Sequence, residues 1–319
     1  MAKYLNKKLF ILFSLLVITI ILGITNGAVN IPLTEMLSKG NQLILNMRIL
    51  RIAAAILAGC GLAVSGIALQ AILRNPLAEP YLLGTSSGAG LAAVAGILFG
   101  LSRIYMPLAA FLGAVASIIL VYNLAREGNR ISDNSLILAG VIVSIALSAV
   151  IVFLISISGN AAIHEMSWWL WGNMQVYDPR LVGLVSFPVI LGIIAVYIFS
   201  QDLNAISMGE EDAMHLGINT QNIKKIIILI TALITASLIC ICGIIGFVGL
   251  IVPHMMRRIV GPNHKVLIPA TCIAASLFMV ACDLLSRTLF SPVEIPIGVI
   301  TAMIGAPLFI ILLKRGKRT

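Results

Sequence analysis

Long apolar runs separated by short polar breaks set the pattern of this chain. Ten runs can be delimited, at about 9–25, 49–73, 81–101, 106–125, 135–157, 181–200, 226–242, 243–258, 266–284 and 295–313. Most are long enough to cross a bilayer as a helix, which needs about 20 apolar residues. The eighth is shorter and contains Pro253. The segment RNPLAEP, from Arg74 to Pro80, ends the second run, because its prolines cannot continue a helix. The first run follows Lys3, Lys7 and Lys8 without a clear small-x-small cleavage site, so it is read as a retained helix. A polar stretch with Pro32, Glu35 and Lys39 follows it, and a polar, aromatic stretch containing SWWLWG fills the gap before Arg180. The pattern predicts an all-α polytopic membrane protein with about ten transmembrane helices, forming one transmembrane domain over 1–319.

One break is longer than a linker needs to be. Residues 209–225, GEEDAMHLGINTQNIKK, read as two short helices with a tight break. Glu210, Glu211 and Asp212 fall in a first turn, where the helix dipole favours negative charge. Gly217 suits the left-handed position just past the end of that helix. Asn219 or Thr220 can cap the next one. A folded polar knob between two spans predicts a docking element.

Composition then fixes the class. The chain is 60% hydrophobic and 10% charged, well below the roughly 25% charged residues of a soluble domain. Its net charge of +9 needs no nucleic acid to explain it. With the N-terminus inside, the inner segments hold 15 of the 21 lysines and arginines and the outer ones 6. The positive-inside rule therefore places both termini and residues 209–225 in the cytoplasm. Arg48 and Arg51 run against that bias. Three residues apart, they would share one face of the second helix at its outer end. Cys60, Cys240, Cys242, Cys272 and Cys282 all lie in apolar runs and are read as reduced, buried side chains.

Candidate chemistry is sparse. No G-x-x-x-x-G-K-[ST] phosphate loop occurs, and GTSSGAG, from Gly84 to Gly90, is read as close helix packing through Gly84/Gly88 and Gly96/Gly100. His254 has no acidic or cysteine neighbour and is read as structural. Trp168, Trp169 and Trp171 are read as interfacial anchors. No catalytic cluster, metal-ligand set or cofactor motif stands out. Asp283, Glu294 and His254 lie near run ends, which disfavours the alternative of an ion-coupled secondary transporter. A transporter without a proton relay or a nucleotide site needs an external motor.

Five stretches together resemble the FecCD-type permeases of ABC importers for iron–siderophore complexes, haem or cobalamin. They are Arg48 to Arg51, Ser65 to Gly90, Gly209 to Ile218, Gly246 to Lys265 and Glu294 to Leu313, within a resemblance running from about Met47 to the C-terminus. It implies a type II ABC importer permease architecture in a prokaryotic cell membrane. Implied partners are a second permease subunit, identical or paralogous, two cytoplasmic ATPase subunits and an extracytoplasmic binding protein. Gly209, Glu210, Glu211, Asp212, Ala213, Met214, His215, Leu216, Gly217 and Ile218 match the family's ATPase-coupling element. Arg48, Arg51 and Arg287 match arginines that meet acidic residues of the binding protein in the cobalamin importer. The fifth and tenth helices are implied to line the pathway.

Overall fold

A computed structural model describes residues 2–27, 40–128 and 130–316. The polar stretch with Pro32, Glu35 and Lys39 lies outside the described residues, as does Thr319. Each of the ten apolar runs contains a helix: α1 (Ala2–Thr25), α2 (Gln42–Ile72), α3 (Thr85–Leu98), α4 (Met106–Ala125), α5 (Asp133–Ser156), α7 (Pro179–Ile198), α10 (Thr220–Cys242), α11 (Val248–Val260), α12 (His264–Thr288) and α13 (Ile297–Gly316). Seven of them are long and apolar enough to cross a membrane, and α3 and the apolar part of α13 are shorter. Three further helices fall in the polar segments: α6 (Asn160–Leu170), α8 (Ser200–Met208) and α9 (Glu210–His215). A two-residue antiparallel pair, β1 (Arg126–Glu127) and β2 (Arg130–Ile131), links α4 to α5.

The core is built around α2. Its 31 residues span about 46 Å at 1.5 Å per residue. It is largely buried and packs on α12, α10, α11, α7 and α8. Small residues make this possible, because apolar helices in lipid associate by close contact rather than by expelling water. A Cβ on Gly59 would lie 2.5 Å from the Ala275 carbonyl oxygen of α12, and one on Gly66 would collide with the Gly249 carbonyl of α11. The predicted glycine packing is present in part. Gly88 of α3 sits directly against Gly113 of α4, and Gly84 lies beside Ser117. The Gly96/Gly100 pair makes no such contact: Gly96 meets side chains of Leu101 and Met106, and Gly100 is a left-handed residue with φ of +71° and open space around it.

The short α11 is explained by its entry. After α10, residues 243–247 run through the fold without helical structure. Backbone at that depth must find partners within the protein. The Ile245 N–H donates to the buried Tyr81 hydroxyl at 3.1 Å. Gln70 donates to the Ala78 and Gly249 carbonyls, both at 3.1 Å, and accepts from Arg257. The polar residues of the LQAILRNPLAEPY and PHMMRR stretches thus stitch the end of α2 to α11. All five cysteines are free, with Cys240, Cys242 and Cys282 buried and Cys60 and Cys272 half-buried. His254 contacts the ring of Phe309 edge-on.

The helices leave two polar ends. One gathers the end of α2, the starts of α5, α10 and α12, the end of α11, and α8 and α9. There Lys8 donates to the Ile259 carbonyl, and Asn204 of α8 accepts from the His264 backbone N–H. The other gathers the end of α1, the start of α2, α6, residues 171–178 and the α12–α13 loop. There Ile297 and Gly298 N–H donate to the Gly172 and Trp171 carbonyls, both at 3.1 Å.

The glycine contacts on α2 carry a prediction. Gly66→Ala should destabilise the detergent-solubilised protein by about 1–3 kcal/mol, the usual cost of overpacking. Gly183→Ala, where a Cβ meets nothing within 4 Å, should stay within about 0.5 kcal/mol of the parent. Thermal unfolding of the two variants side by side is the measurement. Equal melting would mean that α2 and α11 can separate freely.

Candidate functional site

At the first end α9 stands out from the bundle. Glu210, Glu211 and Asp212 occupy its first turn, and Gly217, at φ of +82°, reverses the chain after it. Gly217 N–H donates to the Met214 carbonyl at 2.9 Å and Ile218 N–H to that of Ala213 at 3.1 Å, satisfying carbonyls at the helix end. Asn219, rather than Thr220, caps α10, its side chain accepting from Asn222 N–H at 3.1 Å. The two-helix reading of residues 209–225 therefore matches the fold, and Gly209 to Ile218 form one compact knob. Ala213 faces inward, with no exposure, and Ile218 packs against the core. Met214 and Leu216 are 53% and 73% exposed amid the acidic residues and His215. Among the described residues nothing covers these two large apolar side chains at the tip of the knob.

Beneath the knob Lys224 of α10 is almost wholly buried, at 2% exposure. Its ammonium pairs with Glu210 of α9 and lies 2.5 Å from Asp133 at the start of α5. Arg74, beyond the end of α2, stands 3.5 Å from the other Asp133 oxygen. Sequence reasoning treated Lys224 only as a basic residue at a membrane face. Its place inside α10, amid residues that predict helix, was the available signal.

At the opposite end Arg48, Arg51 and Arg287 do come together, but not as a free basic surface. Arg48 is 5% exposed and donates to the Ile24 and Thr25 carbonyls at the end of α1, at 2.8 and 3.0 Å. Arg51 lies between two acids of its own chain, with Nε 2.6 Å from Asp283 and Nη1 2.8 Å from Glu294. Arg287 donates to the Gly23 carbonyl and lies 3.1 Å from Asp283 Oδ2, off the hydrogen-bonding direction, so that oxygen has no hydrogen bond of its own. Asp283 is completely buried within α12. Its position near a run end hid this, because the pairing spans more than two hundred residues of sequence. Glu294 also accepts from the Gln175 amide at 3.0 Å. Burial alone would raise the Glu294 carboxyl, but Arg51, helped by Gln175 and Arg287, holds it below the usual carboxylate range. The arginines remain reachable from one side. Arg48, Arg51, Arg287 and Glu294 line a cleft of about 230 Å³ together with Gln175 and Tyr177.

Between these groups and α3 lies a larger cavity of about 740 Å³. Trp168 and Trp169 of α6 line it with His164 and Tyr177, and an Arg103–Glu165 pair at 3.2 Å stands at its edge. The tryptophans read as interfacial anchors sit on and just after a short helix, with Met166 buried on one side and only Trp171 more than half exposed among the three. Among the described residues no cluster of His, Cys, Asp or Glu could hold a metal ion.

The chain matches the sequence model of the FecCD transport family over residues 15–315. It is 35% identical to YvrB, an uncharacterised ABC transporter permease of Bacillus subtilis, over 96% of this chain and 93% of that one. It is 38% identical to the cobalamin import permease BtuC of Halobacterium salinarum, covering 84% and 72%. It is 32% identical to the hemin transport permease HmuU of Yersinia pestis, covering 86% and 83%. Among solved structures, a metal-chelate type ABC transporter in an inward-facing conformation superposes with a TM-score of 0.88 at 32% identity, over 97% of this chain and 99% of that one. These likenesses leave no place for an ion-coupled secondary transporter. ATP hydrolysis in such importers resides in a separate subunit, so this chain is not an enzyme. Family match, relatives and superposition agree over nearly the whole length, and the chain belongs to the FecCD transport family as the multi-pass membrane permease subunit of an ABC importer.

Proposed function

We propose that this permease, one domain over 1–319, passes an iron–siderophore, haem or cobalamin-type chelate into a prokaryotic cell. In this reading both termini and α9 face the cytoplasm, and two copies of this chain, or this chain and a paralogue, enclose the pathway. ATPase subunits dock on Gly209 to Ile218, and a binding protein delivers the chelate at the Arg48–Arg51–Arg287 end. The observation that carries the reading is the knob itself, a structured acidic element with Met214 and Leu216 uncovered at its tip. The chelate class is supported by relatives that move cobalamin and hemin.

The arginine end fits docking in a restricted way. Among the described residues Arg51 and Arg287 meet the carboxylates of Asp283 and Glu294, and Arg48 donates to the end of α1 beside them. An incoming carboxylate would compete with Glu294 for Arg51, and a guanidinium can bind a carboxylate through two parallel hydrogen bonds. Lipid anchoring fits less well, because Arg48 and Arg287 are buried against the end of α1 rather than extended along the surface.

Orientation is checked by single cysteines at Asn173 and Asn219 in a cysteine-free background. An impermeant thiol reagent should modify position 173 in intact cells and leave 219 unlabelled. Labelling at 219 from outside would overturn the topology.

Docking of the motor is checked by Met214→Asp with Leu216→Asp. The double variant should fold and insert, lose capture of the ATPase subunit and lose uptake in reconstituted vesicles. Normal uptake would refute the docking role of α9.

Docking of the binding protein is checked with Glu294→Gln and Arg48→Gln. Removing the internal competitor should tighten capture of the binding protein, and removing an arginine should weaken it and flatten its salt dependence. If neither variant changes affinity across a salt series, the arginines serve only to hold α1, α2 and α12 together.

A further inference from the structure

The ion pairs under α9 join three parts of the chain that sequence keeps far apart. Lys224 enters from α10, Glu210 from α9 and Asp133 from the start of α5. α9 is covalently tied to α8 and, through residues 216–219, to α10, so motion of the knob reaches those helices through the chain itself. It does not reach α5 that way. α5 packs chiefly on α3 and α4, and the β1–β2 pair separates it from α4. Lys224 is the group that bridges the gap.

Its environment makes the bridge stiff. An ammonium at 2% exposure has almost no water to replace a lost carboxylate, so separating the pair leaves its charge uncompensated. Asp133 and Glu210 are themselves only 15% and 22% exposed, and Arg74, half exposed, lies 3.5 Å from Asp133. If Glu210 moves, the ammonium must follow or be left facing one acid. If the ammonium moves, Asp133 at the first turn of α5 is drawn with it.

We propose that Lys224 is a positioning residue for transport, the link through which displacement of α9 by the ATPase is passed to α5. The proposal rests on the reading of α9 as the ATPase contact and adds the route inward from it. It distinguishes this lysine from the neighbouring Lys225, which lies outside the three-way pairing.

The test uses the permease assembled with its ATPase and binding protein in vesicles, measuring uptake per ATP hydrolysed. Lys224→Met keeps an apolar stem and removes the charge. It should retain capture of the ATPase and hydrolysis within about twofold of the parent, while uptake per ATP falls at least tenfold; Lys224→Arg should restore most of it. A second readout follows motion directly. Spin labels at Glu211 and Leu138, in a protein that still captures the ATPase, should keep a constant separation on nucleotide binding in the parent and change separation in Lys224→Met. Should Lys224→Met fail to assemble, Asp133→Asn takes its place, since it keeps the ammonium and Glu210, and the same tenfold fall is expected. Unchanged uptake per ATP in whichever variant assembles overturns the relay. So does loss of ATPase capture by a folded Lys224→Met protein, which would make Lys224 part of the docking contact. Met214→Asp with Leu216→Asp reports on docking separately: if it abolishes capture while Lys224→Met transports normally, α9 docks the motor and the relay alone is wrong.

Discussion

A polar group taken out of water must find its partner inside the protein, and that requirement organises this molecule. Asp283 is fully buried in α12, and leaving such a carboxylate alone would cost several kcal/mol. Arg51 and Arg287 answer it, and in doing so they pin α2 to α12 and, through the Gly23 carbonyl, to the end of α1. The same demand at the other end draws α9, α10 and α5 onto Lys224. Where the chain crosses the interior without helix, Tyr81 takes up the Ile245 N–H, and Gln70 takes up the Gly249 carbonyl in the first turn of α11. Between the two ends the helices meet through glycine, alanine and serine with few polar bonds. The bundle is thus tied at its ends and packed, rather than bonded, along its middle.

Such a division suits a machine that must tilt helices. Close contacts such as Gly66 on Gly249 resist separation but lack the direction of a hydrogen bond. The salt bridges are directional and sit at the two polar ends. Breaking one by removing a single member strands a buried charge, at roughly 3–5 kcal/mol, whereas shifting both members together strands nothing. The ends can therefore move as units while the packed middle accommodates them.

Much of this was legible in the sequence. The ten apolar runs each carry a helix, the acidic first turn and Gly217 marked the two ends of α9, and Asn219 or Thr220 marked the start of α10. These features are local: periodicity, capping and turn chemistry act over a few residues. What was missed is long-range or amphipathic. α6 and α8 are short helices in polar stretches, stabilised by packing of Met166 or of Leu203 and Ile206 rather than by an apolar run. Arg51 looked like an outward-facing charge because its two acids lie more than two hundred residues away. Lys224 looked like one more inner-face lysine because its partners come from α5 and α9.

The orientation of α5 was hidden for a different reason. α5 buries Leu136, Ala139, Gly140 and Val143 on one side and exposes Leu138, Ile142, Ile145 and Val152 on the other. Both sides are apolar, so the helix has no polar face to betray its orientation. Lipid and a second permease subunit impose the same condition on an exposed stripe, namely that it carry no unpaired polar group. Hydropathy registers that shared condition and cannot separate its causes. Only packing detail differs, since a protein partner favours small residues for close approach while lipid tolerates large branched ones. On α5 the large Leu138, Ile142, Ile145 and Val152 alternate with the equally exposed small Ala146, Ser148 and Ala149, so the stripe combines side chains that suit lipid with side chains that suit close approach by another helix.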